Sequence, residues 1–177
     1  ADLTCGVPQG SILGPLIFLL YVNDMAQSVD CDLLLYADDS CLIFSDKNLK
    51  SIEDNLNRNF NSLCDWFIEN KLSIHFGEDK TKTIVFGTKK MLKNLNNLDI
   101  RRGDIKIKQY DKVTYLGCIL DNDLSGESMA TKVLGKIVGR NFYTGNNPIW
   151  TLIYAGHFAT RLSSRILIML VLHGIQT

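Results

Sequence analysis

Leu33-Leu34-Leu35-Tyr36-Ala37-Asp38-Asp39-Ser40-Cys41-Leu42-Ile43-Phe44 sets two apolar runs on either side of adjacent carboxylates. Leucine, isoleucine and aromatic residues suit buried strands and aspartate suits turns, so the stretch reads as a β-hairpin with a charged turn. Two ionised carboxylates side by side repel, and a site that keeps both commonly gains a divalent cation in return. Taken alone, the stretch is equally well an Asp-rich turn with no ligand. Its neighbours have to separate the two readings.

On the N-terminal side, Thr4-Cys5-Gly6-Val7-Pro8-Gln9-Gly10-Ser11 is a tight loop punctuated by two glycines and a proline. Such a loop lets the backbone approach a ligand closely, and Gln9 adds both a donor and acceptors; a plain connector has the same composition. Ser11 is placed to cap a largely buried helix over Ile12 to Ala26, with Pro15 in its first turn, where a missing N–H does least harm.

On the C-terminal side, Leu49, Ile52, Leu56, Phe60, Leu63 and Phe67 recur at three- and four-residue spacing, predicting an amphipathic helix from Leu49 to Asn70. Lys71 to Phe76 and Thr83 to Phe86 read as short strands around the polar turn Gly77-Glu78-Asp79-Lys80-Thr81-Lys82. His75 has no second His or Cys at ligand spacing. Met91 to Leu98 is an Asn-rich loop or short helix. Ile105 to Lys108 and Val113 to Leu120 read as strands, the second interrupted at Gly117 by a bulge or a close backbone approach. A helix is expected from Ser125 to about Arg140.

Composition bounds the class. With 177 residues and 46% hydrophobic content the chain can build a sizeable core. Nineteen Lys and Arg balance nineteen Asp and Glu, so there is no whole-molecule attraction to nucleic acid. Lys80, Lys82, Lys89, Lys90, Lys93, Arg101, Arg102, Lys106 and Lys108 form a local basic stretch that is either a nucleic-acid face or a set of solvated loops. Cys5, Cys31, Cys41, Cys64 and Cys118 are odd in number and lack a C-x-x-C pair, which fits reduced thiols in an intracellular protein, nucleus or cytoplasm unresolved. No apolar run is long enough to span a bilayer, so no membrane partner is expected.

These segments in order resemble the reverse transcriptase of a non-LTR, jockey-like retrotransposon. Gly6 to Pro15 resembles the family's loop and helix under the templating base and incoming nucleotide, which assigns nucleotide and template contacts to Pro8, Gln9, Gly10 and Ser11. Tyr36-Ala37-Asp38-Asp39 resembles its catalytic hairpin, with Asp38 the principal metal ligand, Asp39 beside it and Tyr36 near the primer terminus. Leu72 to Phe86 resembles the segment whose lysine, here Lys80, assists proton transfer to pyrophosphate. Tyr115-Leu116-Gly117 resembles the hairpin that grips the primer end. The resemblance implies Mg²⁺ as cofactor, an RNA template and a DNA primer as partners, and RNA-templated DNA synthesis as the parent's activity. The intron-encoded maturase type shares the Tyr-Ala-Asp-Asp core, but the Leu72 to Phe86 segment and the Tyr115 context favour the retrotransposon.

The implied fold is α/β: part of a right-hand polymerase palm with a central antiparallel hairpin and packed helices, and an incomplete thumb. Its expected divisions are a partial palm over 1–122, the start of a thumb helix over 123–140, and a frameshifted or divergent tail over 141–177. In the family a further carboxylate lies upstream of the glycine-proline-glutamine loop; only Asp2 precedes that loop, and it lacks an apolar strand around it. The chain is therefore expected not to polymerise, the rival reading being a non-catalytic nucleic-acid-binding relic. Reverse translation with suitable codons and a one-base shift turns Phe142 to Asn147, and Phe158 to Met169, into phrases like those of the family's thumb, which motivates the frameshift reading. A shifted frame was never selected to pack, so Ile166 to Leu172 is expected to form an exposed patch or a loosely docked segment.

Overall fold

The computed structural model describes residues 11–78, 80–95, 97–139 and 166–173. The expected hairpin is present as β1 (Asp32–Tyr36) and β2 (Asp39–Asp46), antiparallel, with Tyr36 opposite Asp39. Before it come helix α1 (Gly14–Tyr21) and a 3-10 turn at Met25–Ser28; after it, helix α2 (Leu49–Glu69). Strand β3 (Thr81–Phe86), helix α3 (Lys89–Lys93), the short strands β4 (Arg101–Arg102), β5 (Ile105–Lys106) and β6 (Gln109–Tyr110), the hairpin β7 (Lys112–Tyr115) and β8 (Cys118–Asp121), and helix α4 (Glu127–Gly139) follow. The last described strand is β9 (Ile166–Leu172).

The principal sheet has the order β1-β2-β9-β3-β6. Strand β9 runs antiparallel to both β2 and β3, with Leu172 opposite Ser40 on one side and Thr81 on the other. One face of the sheet packs on α2: Leu42, Val85, Ile168 and Leu170 meet Ile52, Leu56, Phe60, Leu63 and Phe67. The other face carries Cys41, Ile43, Ile84, Leu167, Met169 and Val171, covered by Val113, Tyr115 and Leu120 of the β7–β8 hairpin. A strand covered on both faces needs apolar side chains at odd and even positions alike, which is what the unbroken Ile166 to Leu172 run provides.

The expectation of an exposed or loosely docked segment at Ile166 to Leu172 is therefore corrected: all seven residues are buried and paired with β2, and Leu167 to Leu172 are paired with β3 as well. The physical reason is that an uninterrupted apolar run of strand length fits a two-sided slot whatever its origin, because burial rewards apolar area and not ancestry. The remainder of the tail, 141–165 and 174–177, lies outside the described residues, as do Pro8, Gln9 and Gly10 of the N-terminal loop.

Helix α2 matches its periodicity closely. Asn48 caps it, its side-chain oxygen accepting from the Lys50 N–H at 2.9 Å and the Ser51 N–H at 3.5 Å. At the other end, Leu72 N–H donates to Phe67 O at 2.8 Å and Lys71 N–H to Ile68 O at 3.1 Å, a Schellman pair that requires Lys71 to sit at φ +54°. A lysine is strained there where glycine is not. Lys71→Gly is expected to raise unfolding stability by up to about 1 kcal/mol, read from urea melts; a loss of stability would sink the strain argument.

Four further expectations are revised. The helix expected over Ile12 to Ala26 stops at Tyr21, and it is exposed where burial was expected: within it only Gly14 is buried, while Leu20 is 70% exposed. It is apolar on every side, and contact with the core through Phe18 covers a single stripe. Ser11 does not occupy the cap position, which is Leu13, but its Oγ accepts from the Gly14 N–H at 2.9 Å. Lys71 to Phe76 is not a ladder strand; the turn that ends α2 redirects the chain, which makes only an isolated bridge at Ser73. Gly117 marks a turn, not a bulge: Leu116 (φ +48°) and Gly117 (φ +79°) are the two loop residues between β7 and β8, both left-handed, as a type I′ turn demands.

Candidate functional site

The β1–β2 register leaves Ala37 and Asp38 as a two-residue turn, with Ala37 at φ +52°. A left-handed alanine costs on the order of 1 kcal/mol, so the tip of the hairpin holds strain that the surrounding ladder sustains. Asp38 is exposed at the tip, Asp39 is half-buried at the start of β2, and Tyr36 is 64% exposed across from it.

Chain-distant segments meet at this end of the sheet. The ring of His173, which follows β9, has Nδ1 at 2.9 Å from Asp39 Oδ1 and Nε2 at 3.2 Å from the Thr114 carbonyl oxygen. A neutral imidazole can donate to one of these acceptors and an imidazolium to both. The backbone N–H of His173 donates to Lys80 O at 2.9 Å. Tyr115 lies with its ring centroid 6.4 Å from that of His173, and burial, then Cys41 and Asp39, pushes its phenol up to about 12. The Asp38-Asp39 turn, the Lys80 backbone and the Tyr115-Leu116-Gly117 turn region are thus gathered around one histidine. Ser11, the one described member of the N-terminal loop, is tied to its own helix at Gly14.

His173 is the residue that sequence reasoning missed. It carries no motif and follows the segment read as a tail; only the ladder register, which places Leu172 opposite Ser40, brings it to Asp39.

The donor set does not match a Mg²⁺ pair. Among the described residues no group of three or more His, Cys, Asp or Glu side chains could hold a metal ion, β9 is apolar throughout, and Asp39 already faces His173. Mg²⁺ demands several oxygen ligands in near-ideal octahedral geometry. The flanks of β9 show a further mismatch: Ser40 Oγ and Thr83 Oγ1, on the two neighbouring strands, are buried without hydrogen-bond partners. An orphaned buried hydroxyl costs about 1–3 kcal/mol, and leucine side chains offer it nothing.

Five of the nine cations of the basic stretch are matched by acids. Arg101 and Lys106 reach Asp99 at 2.7 and 3.1 Å, Arg102 pairs with Asp65, Lys108 reaches Glu78 at 2.9 Å and Lys89 reaches Asp123 at 3.4 Å. These pairs hold the carboxyls of Asp99 and Glu78 below the usual carboxylate range, first through hydrogen bonds from Arg101 and Lys108. Lys82 and Lys108 lie 5.5 and 5.4 Å from the Tyr110 ring centroid. Cys31, Cys41 and Cys64 are free thiols, and no described helix is long and apolar enough to cross a membrane.

Comparison with known proteins bears on the same residues. A family model described as reverse transcriptase (RNA-dependent DNA polymerase) matches residues 2–120. Over 140 residues the chain is 26% identical to a protein of Drosophila melanogaster named probable RNA-directed DNA polymerase from transposon X-element. That alignment covers 75% of this chain but 14% of the relative, so the chain spans only a small part of the relative's length. No solved structure matches it.

Proposed function

Since the chain belongs to the reverse transcriptase family, we propose that it is part of the palm of a non-LTR, jockey-like retrotransposon enzyme whose intact form synthesises DNA on an RNA template. The observation that carries this reading is the convergence of the Asp38-Asp39 turn with the Tyr115-Leu116-Gly117 hairpin and Lys80 across a single residue, His173. The relative's name, an RNA-directed DNA polymerase from a transposon, agrees with it. In this reading Tyr36 and Tyr115 flank a primer end, Pro8, Gln9, Gly10 and Ser11 shape the nucleotide pocket, and Lys80 stands at the same end of the sheet. Asp38 and Asp39 are the metal-binding turn by descent, and α4 begins the thumb.

The family's chemistry depends on divalent metal, and the donor set around Asp39 does not supply it here. The chain by itself is expected to give no primer extension. A Mg²⁺-dependent signal lost in Asp38→Asn would overturn that part of the proposal. The binding role has its own test. A DNA primer on an RNA template, carrying a photoreactive group at its 3′ end, is expected to crosslink to peptides containing residues 36–39 or 114–117. Crosslinks confined to other parts of the chain would refute the palm reading. Affinity is expected to be weak and to fall only shallowly with salt, because the slope follows the number of phosphates neutralised and cations already paired with Asp65, Asp99, Asp123 and Glu78 must leave those partners to meet phosphates. The same pairing weighs against the rival reading of a dedicated nucleic-acid-binding relic.

A further inference from the structure

The mismatch between the Asp38-Asp39 turn and a divalent cation has a definite structural agent. Strand β9 occupies the sheet position directly beside Asp39's own strand, and it brings seven apolar residues and no carboxylate to that position. At its end His173 takes up Asp39, and the other ring nitrogen is anchored on the Thr114 carbonyl of the neighbouring hairpin. The His173 backbone is held as well, through Lys80 O, which fixes where the ring is presented, while the ring itself is held by its contacts to Asp39 and Thr114. We infer that β9 and His173 form an internal block on the Asp38-Asp39 turn, which keeps divalent cations off Asp39 in this chain.

Several observations meet in that inference. The contact to Asp39 is half-buried, with the His173 and Asp39 side chains 19% and 24% exposed, so it is partly shielded from competing water. It comes from a strand with a partner on each edge, which fixes its register and hence the position of residue 173. The orphaned hydroxyls of Ser40 and Thr83 show that the strands flanking β9 carry polar groups that an apolar neighbour does not serve. The slot accepts β9 for its apolar length and not for polar complementarity. The inference rests on the reading of Asp38-Asp39 as a metal-binding turn by descent.

The test uses the full chain and Mn²⁺ as a paramagnetic probe, with binding followed by water-proton relaxation. The unmodified chain is expected to show no site at the turn. His173→Ala is expected to gain at least tenfold in Mn²⁺ affinity, and the gain is expected to vanish when Asp39→Asn is added. Equal Mn²⁺ binding with and without His173 overturns the block, as does a gain that survives Asp39→Asn. A measurement that keeps His173 in place covers the case in which His173→Ala fails to fold. The His173 ring resonances should shift on Asp39→Asn and stay unbroadened by Mn²⁺, and selective broadening at His173 overturns the inference. Because neither experiment contains nucleic acid, primer crosslinks far from the turn would remove the palm reading and leave the metal result to stand separately.

Discussion

Leu170→Ala is expected to lower unfolding stability by about 2–5 kcal/mol, among the largest losses available to a single substitution in this chain. Leu170 is fully buried, lies opposite Leu42 on β2 and Thr83 on β3, and faces α2. Removing its branched end leaves a cavity that three strands and a helix, each fixed by other contacts, cannot close. Leu20→Ala supplies the contrast. Leu20 is an equally apolar residue but 70% exposed on α1, and its truncation is expected to stay within about 0.5 kcal/mol. Urea unfolding of both variants measures the difference. If Leu170→Ala behaves like Leu20→Ala, β9 is not the central strand, and the proposed block at Asp39 falls with it.

Phe60→Ala is expected to cost about 3–5 kcal/mol by the same measurement. Its ring is fully buried in the middle of α2 and meets Phe76 edge to face, with centroids 6.2 Å apart and planes at 84°. The loss combines transferred area, cavity and aromatic contact. Phe76 belongs to the segment that leaves α2 through the strained Lys71, so the substitution should also loosen 72–76. Hydrogen exchange in that segment should rise more than in the β7–β8 hairpin on the opposite face. A uniform rise across the molecule would show that the two faces unfold as one unit.

Helix α2 was legible almost residue for residue, because a 3.6-residue period over five turns leaves no competing pattern. The Asp38-Asp39 hairpin was legible as well, since two apolar runs joined by a turn pair can close only locally. Helix α1 was legible as a helix but not in its burial. Its residues are apolar on all sides, and periodicity is silent about how much of such a surface finds a partner. Leu116-Gly117 was misread because a leucine in a left-handed position is not the Asn-Gly or Asp-Gly signal by which a type I′ turn is recognised. The basic run from Lys80 to Lys108 was visible as charge. The offset by Asp99, two residues from Arg101, was visible too, but the pairs to Asp65, Glu78 and Asp123 were not, because those acids reach Arg102, Lys108 and Lys89 through the fold.

What the sequence determined by itself is the family: Tyr36-Ala37-Asp38-Asp39, Leu72 to Phe86 and Tyr115-Leu116-Gly117 stand in an order that local reading detects, and the family match over residues 2–120 agrees. Tertiary structure alone decided what the carboxylates face. A strand's own residues declare its apolar length but not which two strands it will lie between, since ladder hydrogen bonds are made by backbone groups common to every residue. Register does the rest: seven apolar residues locked between β2 and β3 carry His173 to Asp39, and that placement closes the turn the motif had seemed to leave open.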